Sequence, residues 1–514
     1  MASAADSSPD DFQPLTGAKL IMAAIAIAAA NFLVVLDTTI ANVSIPHISG
    51  SLGVSSSEGT WVITSYAVAE AITVPLTGWL SGRFGAQRVF VVCYLAFGAL
   101  SLLCGLSVSL GMLIGMRILL GLFGGLIMPL SQLLLLRIFP REKATLATII
   151  WAMTTLIAPV AGPILGGVIC DSWSWHWIFL INVPLAIAGG LLTMFFLKGR
   201  RDPVEKVRID KVGLGLLIVW VASLQIVLDE GRNHDWFASP MVFWMAVTAA
   251  IGFVAFLIWE LTEENPIIDL RVFRHRGFAV AASTYAAGFA AFSAVIVILP
   301  LWLQQNMGYT ATWAGMATGI MGILAVVSSP LVGKATEKFD PRLVISIGIL
   351  GLSAVNLWRT TFTPDVTFLQ MAWPTLLTGP FMVMFFVPIT GLAISTVEPH
   401  EQATASGISN FMRTMAGAFA TSIVQTIWSD ATRSNQSEIV GAMTNGSDAI
   451  DTFVATGQSA EGAAASLARL VESQSVMLAT LDVFWIVAAC FGFAAALIWL
   501  APRPKGPIDT SAGH

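Results

Sequence analysis

The sequence predicts an all-α, multi-pass membrane protein, on the strength of its composition, its long apolar runs and the placement of its basic residues. Hydrophobic residues make up 56% of the 514 positions and charged residues only 11%, whereas a soluble domain carries about 25% charged residues. The mean hydropathy of +0.78 agrees with this. We therefore expect most of the chain to lie within a lipid bilayer.

Fourteen apolar runs are long enough to span about 30 Å of hydrocarbon at 1.5 Å of helix rise per residue. In chain order they are 18–40, 60–80, 87–107, 110–136, 145–169, 177–197, 212–229, 241–262, 278–303, 312–332, 343–361, 374–396, 404–428 and 479–500. An even number of spans puts both termini on one side of the membrane. The first seventeen residues are polar and lack a small-residue cleavage pattern, so the first run is predicted to be a retained helix and not a signal peptide.

Basic residues indicate the orientation, because short cytoplasmic loops carry an excess of Lys and Arg. With the termini inside, the cytoplasmic segments hold twenty of the 26 basic residues. The outer loops hold four, Arg232, Arg359, Arg433 and Arg469, and two more lie inside helices. Both termini are therefore predicted to be cytoplasmic.

Two short turns of similar composition predict an internal repeat. Residues 78–88 follow the second run and residues 333–342 follow the tenth; each turn opens with glycine and has a basic residue five positions later. If they are equivalent, helices one to six and nine to fourteen are two copies, with helices seven and eight inserted between them. Two parallel bundles with a substrate site at their interface alternate access by rocking.

The predicted organisation follows from that repeat. It comprises a cytoplasmic tail (1–17), a six-helix bundle (18–197), the inserted helices with their cytoplasmic flanks (198–276), a second six-helix bundle (277–501) that includes an outer loop (429–478), and a cytoplasmic tail (502–514).

Four ionisable side chains lie in or at the end of predicted spans. Asp37 ends the first hydrophobic run, Glu70 lies in the second, Arg117 in the fourth and Arg413 in the thirteenth. Such groups cost several kcal/mol in hydrocarbon and are seldom kept without a partner or a task. Carrying protons is the commonest task, since burial favours the protonated carboxyl and a nearby cation or water restores the charged form. We expect Asp37 and Glu70 to be the proton-carrying candidates, Arg117 to be coupled to them, and Arg413 to be the cation of the second half.

Each of these groups also has a simpler interpretation. Asp37 could cap or hydrate a helix end at the outer interface. Glu70 could hydrogen-bond helices together, and Arg117 could be a structural charge that faces the bundle interior. The sequence alone leaves these alternatives open.

Motif searches exclude most enzymatic chemistry. The four cysteines show no paired spacing, so neither a disulfide framework nor a metal site is predicted. His400 to Thr404 resembles a zinc-protease helix but lacks its second histidine, and the region around Gly333 and Lys334 lacks the glycine and hydroxyl of a phosphate-binding loop. We expect no cofactor, no metal, no nucleic-acid partner and no enzyme activity, with a proton gradient as the energy source.

Several residue strings together resemble one family. The most specific are Leu36–Pro46, Thr60–Tyr66, Pro75–Leu80 and Trp175–Pro184. They resemble the major facilitator superfamily in its fourteen-helix drug:proton antiporter branch, and within it the EmrB-like inner-membrane pump subunits. The resemblance extends over essentially the whole chain.

The resemblance implies roles for two further motifs. Residues 158–167 on helix five match the antiporter motif, which is expected to seal one face of the cavity through Pro159, Gly162, Pro163, Gly166 and Gly167. Glycines four apart also let a neighbouring helix approach closely, and prolines kink a helix. The cytoplasmic gating loop would comprise Gly78, Arg83, Gly85 and Arg88. It departs from the family pattern at Gly82, where an acidic residue is usual. The family pattern also assigns Arg117 to the proton-coupling apparatus.

The function implied is proton-driven efflux of hydrophobic or cationic drugs across the bacterial inner membrane by alternating access. Seventeen tryptophans and thirty phenylalanines offer apolar and cation–π surface for such ligands. The alternative is a dedicated proton-coupled exporter of one metabolite or siderophore. The implied partners are a periplasmic adaptor, a membrane fusion protein of the EmrA type, and an outer-membrane channel. The outer loop 429–478 either meets that adaptor or is flexible and unengaged.

Overall fold

The computed structural model describes residues 14–140, 143–198, 210–231, 234, 236–264, 266–398, 401–443, 454 and 459–502. These residues form α-helices joined by short turns and contain no β-strand, which confirms the all-α prediction. The helices of the first half are α1 (Gly17–Leu52), α2 (Ser56–Thr73), α3 (Thr77–Phe84), α4 (Ala86–Gly105), α5 (Leu110–Ile138), α6 (Ala144–Ser172), α7 (Trp177–Leu180) and α8 (Asn182–Phe196). Two helices follow, α9 (Lys211–Glu230) and α10 (Pro240–Thr262). The helices of the second half are α11 (Arg276–Gln305), α12 (Ala311–Gly319), α13 (Met321–Lys338), α14 (Pro341–Arg359), α15 (Phe368–Ser395), α16 (Gln402–Ala442) and α17 (Ala460–Leu497).

Every one of the fourteen predicted runs coincides with helix, but not every helix passes as a membrane span. Among the described residues, eleven helices are long and apolar enough to cross a bilayer, or twelve if the bent α6 counts as one span. The second run is divided between α2 and α3 by a 3₁₀ turn at Val74–Leu76, and α16 is rich in polar residues. The number fourteen therefore remains a prediction.

The end of the first helix was predicted wrongly. Asp37 does not end a helix, because α1 continues to Leu52 and leaves the carboxylate in its middle. The polar residues that follow bond back to the helix itself: the Thr38 hydroxyl donates to the Val35 carbonyl at 2.8 Å and the Ser44 hydroxyl to the Ile40 carbonyl at 2.9 Å. A polar stretch whose hydroxyls are satisfied in this way can continue a buried helix.

The predicted outer loop 429–478 is helical over much of its length. Helix α16 continues to Ala442 and α17 begins at Ala460, where the Ser459 hydroxyl accepts a hydrogen bond from the Gly462 amide at 3.1 Å. Residues 444–453 and 455–458 lie outside the described residues. The part of α16 beyond Trp428 is polar on most sides, so hydropathy did not distinguish it from a loop. The start of α17 differs, because it buries the apolar residues Ala463 and Val471.

The same packing arrangement occurs in both halves. In the first half α1 packs on α6 and α8, while α5 packs on α2 and α4; in the second half α11 packs on α16 and α17, while α15 packs on α13 and α14. Helices α9 and α10 pack on each other, and α9 also contacts α2 and α16. The halves meet where α6 contacts α12, α13 and α15, and where α16 contacts α3 and α5. A site between the halves therefore has walls on both of them.

Candidate functional site

Arg117 and Asp37 form an ion pair that is fully buried in the first half. Nη1 of Arg117 on α5 donates to Oδ2 of Asp37 on α1, and both side chains are 0% exposed. The side-chain amide of Asn182 on α8 donates to the second carboxylate oxygen at 3.0 Å. Three helices are thus joined at one carboxylate.

The arginine has further partners on α2 and α7. Its Nε donates to the Val62 carbonyl at 2.9 Å. Its guanidinium lies over the Tyr66 ring at 4.3 Å from the centroid and 5.6 Å from that of Phe179, distances at which a ring face attracts a cation. Nη2 makes no hydrogen bond within the described part of the chain. Arg117 therefore keeps a spare donor beside its carboxylate.

Glycines on α5 bring α2 up to this ion pair. A Cβ on Gly121 would lie 2.5 Å from the Tyr66 carbonyl oxygen, and one on Gly125 would lie 2.8 Å from the Glu70 carbonyl oxygen. No other residue type fits at either position without moving α2. This close approach is what places Glu70 and Tyr66 next to Arg117.

Glu70 and Arg413 extend the charged region towards the second half. Glu70 is 8% exposed, and the charges of Arg413, Arg117 and Asp37 all act on it. Arg413, on α16, is 6% exposed and its guanidinium lies 4.6 Å from the Phe289 ring centroid. The structure therefore brings together the four ionisable groups that the sequence singled out. Their role in proton coupling stays a prediction.

Polar contacts also connect α5 with α16, and the sequence reasoning missed them. Oε1 of Gln132 accepts hydrogen bonds from the Ser406 hydroxyl at 3.0 Å and the Asn410 side-chain amide at 3.5 Å. Both elements lie in apolar runs, so a buried amide there was a visible signal. Asn182 carried the same signal within the Trp175–Pro184 string.

The antiporter motif packs α6 directly on α1. A Cβ on Gly162 would lie 2.1 Å from the Thr39 hydroxyl oxygen, and one on Gly166 would lie 3.1 Å from the Ile40 carbonyl oxygen. Gly167 is buried as well.

Helix α6 also bends within this motif. The bend is 42° and lies between Pro159 and Ile164, in the stretch that contains Pro163. Pro159 lines a cavity whose other lining residues belong to the second half. The two glycines let α6 pack against α1. Pro159, beside the bend, faces the second half.

The predicted gating loop divides into packed and surface positions. A Cβ on Gly78 would lie 2.7 Å from the Thr404 hydroxyl oxygen, so this glycine lets α3 touch α16 of the second half. Gly85 joins α3 to α4 with a φ of 86°, a backbone angle that residues other than glycine rarely adopt. Arg83 is half-buried and Arg88 is exposed.

A separate ionic cluster lies between α11 and α16. Nε2 of His275 lies 2.8 Å from one Glu401 carboxylate oxygen, and Arg274 donates to the other at 3.0 Å and to Glu398 at 3.5 Å. Burial opposes the charge of Glu401, but hydrogen bonds from the Glu398 amide, His275 and Arg274 hold its pKa below the ordinary value. Three of these groups are close enough together to ligate a metal ion, yet Arg274 already bonds both carboxylates. We assign the cluster to ion pairing.

Comparisons with known proteins agree with this architecture. The Major Facilitator Superfamily profile matches residues 27–421. The chain is 40% identical over 499 residues to the multidrug export protein EmrB of Escherichia coli (strain K12), covering 96% of this chain and 98% of that one. It is 39% identical over 505 residues to EmrB of Haemophilus influenzae, covering 97% and 99%. Among solved structures, the human organic anion transporter MFSD10 aligns with a TM-score of 0.59 at 12% identity, over 94% of this chain and 100% of that one. The last likeness shows the fold alone.

Proposed function

We propose that this chain, which belongs to the Major Facilitator Superfamily, is a multidrug efflux transporter driven by proton antiport. Two relatives of nearly equal length are named multidrug export proteins, which supports the export of varied drugs. Proton coupling is our own inference, and the buried Arg117–Asp37 ion pair carries it. An ion pair buried this deeply in a membrane protein is costly, and such groups are seldom kept without a function.

Protonation of Asp37 would change what holds the first half together. A neutral carboxyl no longer attracts the guanidinium by charge, while Asn182 on α8 keeps a hydrogen-bond partner. Arg117 retains the Val62 carbonyl and the Tyr66 ring, so it can turn towards α2 and Glu70. The connection between α1 and α5 weakens as a result, and the substrate cavity can then open to the other side of the membrane.

The energetics suit export. Each proton that enters down a membrane potential releases about 2.3 kcal/mol per 100 mV. Since about 1.4 kcal/mol corresponds to a factor of ten, one charge per 100 mV sustains a gradient of about fiftyfold. Protons bound outside at Asp37 or Glu70 would be released inside, and the deprotonated cavity would then take up drug.

The cellular setting is also part of the proposal. The excess of basic residues in the predicted inner segments supports cytoplasmic termini, and the EmrB relatives support the bacterial inner membrane. We further propose a periplasmic adaptor of the EmrA type and an outer-membrane channel as partners. The polar ends of α16 and α17 are the surface on which the adaptor would dock.

Proton exchange in proteoliposomes tests the coupling. Purified protein is reconstituted with a pH-sensitive dye, and proton release is followed after a lipophilic cationic drug is added. We expect drug-driven release with the wild type and none with Asp37→Asn. Asp430→Asn removes the same charge from a side chain that is 66% exposed and serves as the control. Normal proton release by Asp37→Asn would refute the proposal.

A further inference from the structure

Asn182 leaves part of its hydrogen-bonding capacity unused although it is buried. It is the first residue of α8 and is 1% exposed. Its side-chain nitrogen donates to Oδ1 of Asp37 at 3.0 Å. Its side-chain oxygen has no hydrogen-bond partner within the described residues. Buried polar atoms are nearly always paired, so an unpaired acceptor beside the buried carboxylate calls for an explanation.

The two oxygens of the Asp37 carboxylate face different kinds of donor. Oδ2 accepts a hydrogen bond from Nη1 of Arg117, and a guanidinium carries donors only and stays protonated in proteins. Oδ1 accepts from the neutral Asn182 amide. A proton on Oδ2 would point at a fixed cation, whereas a proton on Oδ1 would meet a group that can change its orientation. Oδ1 is therefore the oxygen on which a proton can be held.

The Asn182 amide can serve both forms of this carboxyl group. An amide presents donors on its nitrogen and an acceptor on its oxygen, and the two ends have nearly the same shape. Rotation about χ2 of asparagine is broad and roughly two-fold, so a half-turn exchanges the two ends. The oxygen has no partner to lose. The half-turn therefore replaces the hydrogen bond to the carboxylate with one from the protonated carboxyl and breaks no other.

Asn31, a second buried amide of the first half, is held differently. Its side-chain nitrogen donates to the hydroxyl oxygens of Thr154 and Thr155 at 2.8 Å each and to the Trp151 carbonyl at 3.3 Å. A half-turn of Asn31 would lose all of these hydrogen bonds to α6. The freedom of Asn182 is thus not a general property of the amides that join α1 to its neighbours.

We propose that Asn182 is the positioning residue of the proton site and that its amide turns over when Asp37 is protonated. One O–H bond forms on Oδ1 of Asp37, the proton comes from water on the outer side, and the carboxylate loses its charge. Asn182 then accepts the new O–H through its side-chain oxygen. Without such an acceptor the hydroxyl would be buried and unpaired, which is costly. The inference rests on the proposed proton antiport and adds the residue that holds the proton.

Other ionisable groups act on Asp37 from the helices around it. They are Arg117 on α5, Tyr66 and Glu70 on α2, and Cys104 on α4. Only Arg117 among them is hydrogen-bonded to Asp37 within the described chain. Asn182 is the one neutral hydrogen-bond partner of the carboxylate in that part of the molecule. Only this partner can both donate to the group and accept from it.

Infrared difference spectroscopy tests the proposal, because the C=O stretch of a protonated carboxyl moves to higher wavenumber when its O–H loses an acceptor. Acid-minus-alkaline spectra are recorded on purified protein in nanodiscs, without drug or gradient, and the band lost in Asp37→Asn is assigned to Asp37. We expect Asn182→Leu, which has a similar shape and no polar atom, to move this band to higher wavenumber. Asn182→Gln keeps an amide that can turn and should return the band to the wild-type position.

The control variant is Asn31→Leu, which removes a buried amide that bonds α6 and not Asp37. It should leave the band in place. An unmoved band in Asn182→Leu, or the same shift in Asn182→Leu and Asn182→Gln, would assign Asn182 to packing and overturn the proposal. The absence of any band that depends on Asp37 overturns it as well. If Asn182→Leu does not fold, Asn182→Ala carries the same expectation.

Drug-driven proton release is measured separately on the same variants. Normal release by Asp37→Asn refutes the proposed antiport whatever the spectra show. Lost release in Asp37→Asn together with an unmoved band in Asn182→Leu refutes only the role of Asn182.

Discussion

Removing Arg117 should be more damaging than removing Arg413, although both are buried arginines inside helices. Arg117→Ala leaves the Asp37 carboxylate with the Asn182 amide as its one remaining hydrogen-bond donor among the described residues. Breaking a buried pair by deleting one partner costs about 3–5 kcal/mol. The lost contact with the Tyr66 ring adds about 1–2 kcal/mol.

Arg413→Ala breaks no hydrogen-bonded ion pair within the described chain, and Arg117 still acts on Glu70 after Arg413 is removed. Arg413 has a cation–π contact with Phe289 and is not within 4.0 Å of any carboxylate oxygen in the described chain. The expected loss is therefore about 1–2 kcal/mol. The difference of about 3–5 kcal/mol between the variants comes from the uncompensated charge on Asp37.

Thermal unfolding followed with a thiol-reactive dye measures this difference. Cys93, Cys104 and Cys170 are buried and become reactive only when the first half opens, whereas Cys490 is exposed and sets the background. We expect a much lower Tm for Arg117→Ala than for Arg413→Ala.

A second variant checks the reason for that difference. Adding Asp37→Asn to Arg117→Ala should restore about 1–3 kcal/mol, because it removes the unpaired charge. Equal Tm values for the two arginine variants, or no recovery in the double variant, would show that the ion pair is not what stabilises this region.

Three further results are expected. Gly162→Val should separate α1 from α6 and lower both Tm and drug–proton exchange, because a Cβ there meets Thr39 at 2.1 Å, while Gly322→Ala has open space and should change neither. The pKa of Glu401 lies below its ordinary 4.5, so the ionised carboxylate stabilises the fold fully above pH 4.5, and this stabilisation is lost as the pH falls through the lowered pKa. The Tm of the wild type should therefore decline below pH 4.5 more steeply than that of Glu401→Gln. Shortening residues 443–459 should spare drug–proton exchange by purified protein in vesicles but weaken resistance in cells, and lost exchange by a folded variant would assign this segment to gating.

The sequence determined the class of protein and the groups that matter. Apolar runs locate helices reliably because hydrocarbon admits a backbone only when its hydrogen bonds are satisfied internally. Asp37, Glu70, Arg117 and Arg413 stood out for the related reason that charges are rare among apolar residues. Helix ends were harder to locate, because the polar end of α16 has the composition of a loop, whereas the alanine-rich sequence from Ala463 to Val476 is typical of an amphipathic helix.

Only the tertiary structure decided which charges meet. Residues 80 positions apart form the Arg117–Asp37 pair. Gly121 and Gly125 let α2 approach α5 closely enough to place Tyr66 and Glu70 beside Arg117. Because the sequence does not show which distant helices pack together, the charge count also placed Arg359 in an outer loop, whereas it is the last residue of α14 and is only 2% exposed. A count of charges records which residues lie between apolar runs, whereas burial depends on the neighbouring helices, and those are set by packing between segments distant in the chain.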